Sequence, residues 1–102
     1  MRYLLTWKAN ESAWPTDPKQ VLAILQEVFA SADQLLESGA AKELNWLTAQ
    51  EGYGIFEADS KARVLGLVQG FFPLYSQDVR EVAPWEDAKQ AILDSARQAA
   101  TR

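Results

Sequence analysis

The sequence contains no cysteine and no histidine. Without cysteine there is no disulfide frame, no thiolate nucleophile and no zinc–thiolate site. Without histidine there is no Ser–His or Cys–His nucleophile pair, no imidazole general base and no haem ligation through His, and most transition-metal sites are lost. These exclusions rest on missing atoms and hold whatever the fold. Basic residues are also in deficit: Lys and Arg number 10 against 14 Asp and Glu, a net charge of −4, and they are scattered singly. A nucleic-acid surface gathers Lys and Arg on one face to displace phosphate counterions. Nucleic acid is therefore not an expected partner, and neither is an anionic membrane surface. Long apolar runs are missing as well. The opening segment is apolar only from Tyr3 to Trp7, short of a signal-peptide core and far short of the about 20 residues of a membrane helix. A cytoplasmic location is the expectation.

What remains is ordinary for a globular domain. The chain has 102 residues, 48% hydrophobic and 24% charged, which fits one domain over residues 1–102 and lies outside the disordered range. Residues 2–9 alternate as a strand does, with Tyr3, Leu5 and Trp7 on one face and Leu4, Thr6 and Lys8 on the other. A loop from Asn10 to Thr16 precedes a helix start at Asp17-Pro18-Lys19-Gln20. Asp17 can cap, Pro18 suits the first helical position and Gln20 completes a capping box. Val21, Ile24, Leu25, Val28, Phe29, Ala32, Leu35 and Leu36 then recur at spacings of three and four, which predicts a long amphipathic helix with one core-facing stripe, ended by Gly39.

Residues 41–49 read as a strand with Leu44, Trp46 and Thr48 on one face, Gln50-Glu51-Gly52 as a hairpin loop, and Tyr53–Ala58 as the returning strand. Asp59 is the capping candidate for a shorter helix reaching about Phe71. Gly66 and Gly70 lower its helicity, and their spacing suggests close approach to the sheet. Pro73 interrupts this helix, Tyr75–Val82 form a semi-exposed last strand, and Pro84 opens a C-terminal helix. That helix has a thin apolar stripe (Trp85, Ala88, Ile92, Ala96, Ala99), which predicts peripheral docking.

The order β-α-β-β-α-β plus a C-terminal helix is that of the split β-α-β, ferredoxin-like α+β fold. Its four strands carry both helices on one face and leave the other bare. Tyr3, Leu5, Trp7, Leu44 and Trp46 on one set of parities are balanced by Leu4, Leu47 and Ile55, so neither face is polar. A sheet with two apolar faces in so small a domain calls for a partner, and a symmetric homodimer is the commonest solution.

Several motifs point the same way. They are Tyr3-Leu4-Leu5-Thr6-Trp7, Gly39 ahead of Trp46, Gly52-Tyr53-Gly54 leading to Glu57-Ala58-Asp59, and Val82-Ala83-Pro84 before an acidic helix start. Over nearly its whole length the chain resembles the dimeric α+β barrel superfamily, and more narrowly the bacterial DUF3303 family. The resemblance implies the ferredoxin-like fold and a homodimer packed sheet to sheet, but no particular reaction. Many relatives carry a His after the middle tryptophan, where this chain has Leu47, so chemistry that would use that His is not expected. The broader superfamily includes cofactor-free monooxygenases and isomerases acting on aromatic or quinonoid substrates, which makes that class an alternative.

The candidate ligand-pocket residues are Thr6, Asn45, Trp46, Tyr53, Glu57 and Tyr75, a mixed polar and aromatic set of the kind that lines small-molecule sites. Against this, Trp7 and Trp46 fit packing in a core or dimer interface, Trp14 and Trp85 fit plugging of loop and helix ends, and Asn45 and Glu57 fit solvent-facing strand positions. Glu57, between Phe56 and Ala58, is the one carboxylate whose strand setting suggests desolvation and use as a base. An outward-facing Glu57, or one paired with Lys8 or Arg80, is the plainer alternative. No phosphate-binding glycine loop, calcium loop or glycosidase carboxylate pair is present, and no metal or other cofactor is expected. The reading from sequence is a homodimer able to bind a small apolar or aromatic molecule, with a cofactor-independent enzyme and a protein-interaction module as alternatives.

Overall fold

The computed structural model describes residues 1–101. Its elements are β1 (Arg2–Ala9), a short 3-10 turn (Glu11–Ala13), α1 (Pro18–Glu37), β2 (Ala41–Trp46), β3 (Glu51–Glu57), α2 (Lys61–Val68) with a 3-10 extension (Gln69–Phe71), β4 (Tyr75–Val82) and α3 (Trp85–Ala100). The four strands form one antiparallel sheet in the order β2-β3-β1-β4. With three helices this is an α+β arrangement compatible with the ferredoxin-like fold.

The termini of α1 follow the local chemistry. The Asp17 carboxylate accepts from the Lys19 backbone N–H at 3.1 Å, and Gly39 leaves the helix with φ +80, a conformation that favours glycine. Gln20 does not close the expected capping box. The Asp17 carboxylate is the side-chain cap that end shows. Ser60, not Asp59, caps α2, its hydroxyl accepting from the Arg63 N–H at 3.2 Å.

The hairpin between β2 and β3 lies earlier than the glycine suggested. Its loop is residues 47–50, and Glu51 and Gly52 already belong to β3. The Thr48 hydroxyl accepts from the N–H groups of Gln50 (3.1 Å) and Glu51 (3.0 Å), so a side chain shapes this turn. A bulge between Ala41 and Glu43 resets the register of β2.

Because directly paired antiparallel residues share a face, the register defines two surfaces. The covered face carries the rows Ala41–Phe56–Tyr3–Glu81, Leu44–Gly54–Leu5–Val79 and Trp46–Gly52–Trp7–Gln77. Both α1 and α2 lie over it. The core consists of Tyr3, Leu5, Ala41, Phe56 and Val79 packed against Val64 and Val68 of α2, with Leu35 of α1 and Trp7 at its margin. The other face carries Glu43–Ile55–Leu4–Arg80 and Asn45–Tyr53–Thr6–Asp78, and no helix among the described residues covers it.

Three expectations about packing are corrected. The apolar stripe of α1 points at the sheet, yet none of its residues is fully buried, and Phe29 and Leu36 stay 44% and 40% exposed. Gly66 and Gly70 are exposed, and a Cβ at either would meet no atom within 4 Å, so they permit no close approach to the sheet. α3 does not dock. Only Ala88 and Lys89 of this helix are even half-buried, and the molecule measures 65 × 28 × 21 Å because a helix about 24 Å long projects from a small body. Trp85, at its start, is 76% exposed and plugs nothing.

Candidate ligand cavity

The covered face of β3 reads Gly52, Gly54, Phe56, so two successive positions supply no side chain. Neighbours lean into the space. The Trp7 ring crosses Gly52 so closely that a Cβ there would collide with the ring and with the Asn45 carbonyl oxygen. A Cβ on Gly54 would lie 2.6 Å from Leu44 Cδ2. Beside these filled positions, between the sheet and a helix that stands off it, lies a cavity of about 370 Å³. That size is within the range of small-molecule sites.

Leu5, Trp7, Leu44 and Phe56 line its floor, Val28, Phe29, Ala32, Leu35 and Leu36 of α1 its roof, and Val68, Phe71, Tyr75 and Gln77 its inner end. Trp46 stands at the mouth, 53% exposed. It meets Trp7 edge to face (centroids 5.8 Å, planes 86° apart) and Phe29 likewise (6.0 Å, 77°), the favoured geometry for aromatic pairs. The inner end is held from behind. Tyr75 packs edge-on against Trp14 at 5.7 Å, and Trp14 Nε1 donates to the Leu74 carbonyl at 2.9 Å, so Trp14 does plug the loop end. Gln77 Nε2 donates to the Val68 carbonyl at 3.0 Å, tying β4 to the end of α2.

The lining has little charge. Among the described residues no Lys or Arg borders the cavity, and its one carboxylate is that of Asp33, an exposed residue. Tyr75 is 6% exposed, and burial pushes its hydroxyl above the ordinary tyrosine range because the charged form would be desolvated. Among the described residues no group of three or more acidic side chains is placed to hold a metal ion, and no helix is long and apolar enough to cross a membrane.

The six residues singled out from the sequence do not form one site. Trp46 and Tyr75 line the cavity, at its mouth and inner end, and Asn45 touches its rim. Thr6, Asn45 and Tyr53 form one cross-strand row on the uncovered face, with the sheet between Thr6 and the cavity. Glu57 lies at the far end of that same face. It is exposed, accepts from Arg2 Nε at 3.1 Å and pairs with Lys42 Nζ at 3.8 Å. Glu57 therefore faces outward, as the plainer alternative had it, and is not desolvated; its partners are not Lys8 and Arg80, which pair instead with Glu51 and Asp78. Phe29, Val68 and Gln77 belong to the cavity and were not anticipated. Phe29 was legible as part of the α1 stripe, whereas Gln77 was hidden in a strand that reads as polar.

No protein-family model matches this chain, and no curated protein matches it in sequence at a significant level.

Proposed function

We propose that this chain is a homodimeric, ferredoxin-like α+β barrel protein that binds a small apolar or aromatic molecule between α1 and the sheet. The observation that carries the ligand part is the cavity of about 370 Å³ walled by Trp7, Phe29, Trp46 and Phe56. A small domain that leaves so much apolar wall unfilled forgoes packing that a bound molecule would supply. The motif series shared with the dimeric α+β barrel superfamily and the DUF3303 family supports the same reading.

Self-association has its own support. The uncovered sheet face presents Leu4, Ile55, Tyr53 and the 38% exposed Val82, and α3 presents Trp85, Ile92 (67% exposed) and Leu93 (40%). A second copy offers the same surfaces and can cover them by two-fold symmetry. Cofactor-independent catalysis on an aromatic or quinonoid molecule needs a base at the cavity. Glu57, its candidate, stands on the opposite face, so this reading has only the aromatic lining in its favour.

The test fills the cavity. Ala32 lies half-buried on the roof, and Ala32→Phe places a ring in the vacant space. Titration with naphthalene, read by quenching of tryptophan fluorescence, is expected to saturate with the native chain and not with the folded variant. Equal binding by both would overturn the assignment of the ligand to this cavity.

A further inference from the structure

The polar atoms of the cavity are concentrated at one end, and their hydrogen-bonding states differ. Tyr75 and Gln77 occupy alternate positions of β4 and so share its covered face, their side chains about 7 Å apart along the strand. The Gln77 amide is oriented by its Nε2 bond to Val68, which leaves Oε1 as a free acceptor. The Tyr75 hydroxyl has no partner among the described residues. No buried side-chain nitrogen or oxygen among them is left unpaired, so this hydroxyl must border open space. Tyr75 is almost fully buried and lines the cavity, which is the space nearest to hand for that hydroxyl.

Charge adds a second constraint. An anion entering here would meet Asp33 and, among the described residues, no Lys or Arg, losing its hydration without compensation from a cation. A neutral aromatic body finds matching walls in Leu5, Trp7 and Phe56. An oxygen at its inner end meets a donor in Tyr75, which stays protonated through neutral and mildly alkaline pH because burial disfavours its charged form.

We infer that the cavity selects uncharged aromatic molecules bearing a hydroxyl or carbonyl oxygen, with Tyr75 and Gln77 as the specificity-determining pair. This rests on the cavity being a ligand site, and it adds which molecules that site accepts and which it refuses.

Three matched probes test it: naphthalene, 2-naphthol and 2-naphthoate, titrated at pH 7 by tryptophan fluorescence and calorimetry. The native chain is expected to bind 2-naphthol three- to tenfold more tightly than naphthalene, and 2-naphthoate at least tenfold more weakly than 2-naphthol. Tyr75→Phe should abolish the preference for 2-naphthol over naphthalene. Binding of 2-naphthoate as tight as that of 2-naphthol, or an unaltered 2-naphthol preference in Tyr75→Phe, would overturn the inference with the ligand site intact. Saturable binding by neither naphthalene nor 2-naphthol would instead overturn the ligand site itself, and the inference with it. The comparison within the native chain needs no variant, so it stands even if Tyr75→Phe folds poorly.

Discussion

Alternate residues of the same four strands build two faces that end in different states. On one face Tyr3, Leu5, Phe56 and Val79 are at most 4% exposed, covered by α1 and α2. On the other, Leu4, Ile55 and Tyr53 are only half-buried, ringed by the ion pairs Arg2–Glu57, Lys8–Glu51 and Arg80–Asp78. Exposed ion pairs of this kind each contribute about 0–1 kcal/mol, so they keep the face soluble more than they hold the sheet together. Apolar burial at about 25 cal/mol per Å² therefore resides almost wholly on the covered face. The difference teaches that the chain covers one side of its sheet from within and, among the described residues, leaves the other side and most of α3 uncovered.

The sharpest way to break this contrast is to weaken the covered face. Phe56 is fully buried, and Phe56→Ala should lower unfolding free energy by about 3–5 kcal/mol in urea denaturation. A loss below about 1 kcal/mol would mean that the core lies elsewhere. Gly52→Ala acts on the same face by addition. The new methyl meets the Trp7 ring and the Asn45 carbonyl, and an overpacked site of this kind costs about 1–3 kcal/mol. It should also shift tryptophan emission, since Trp7 must move and take Trp46 with it. An unchanged spectrum and stability would contradict the close approach. The smallest effect belongs to the uncovered face: Glu57→Gln removes the exposed negative charge that Arg2 and Lys42 pair with and should cost less than about 1 kcal/mol, with that difference shrinking further in high salt. A loss comparable to that of Phe56→Ala would erase the distinction between the faces.

Much of the fold was legible because its signals are local. The alternation of Tyr3, Leu5 and Trp7 fixes β1, and the repeat from Val21 to Leu36 with its Asp17 and Gly39 ends fixes α1. The β2–β3 hairpin was misplaced because Gly52 looked like a turn residue. It serves instead to admit the Trp7 ring, a contact across strands that no local pattern reports. The site was only half legible for a related reason. Asn45 and Trp46 are consecutive in one strand, so alternation already sets them on opposite faces, and the same holds for Thr6 and Trp7. Grouping Thr6, Asn45 and Tyr53 with Trp46 thus mixed two surfaces. Val68 and Gln77 could not be assigned to the cavity from sequence, because only the packing of α2 against β4 brings them there. α3 shows the limit of pattern reading: its stripe was visible, but amphipathicity says that a helix has a partner and not where that partner is.

The central claim is that a second copy completes the uncovered face and α3, while the cavity on the covered face holds a small molecule. Native mass spectrometry of freshly purified protein at micromolar concentration, set against its denatured mass, tests this most directly. The account predicts a species of twice 11.4 kDa, with any retained ligand visible as additional mass that is lost on denaturation. A bare species of 11.4 kDa with no larger form at that concentration would contradict it.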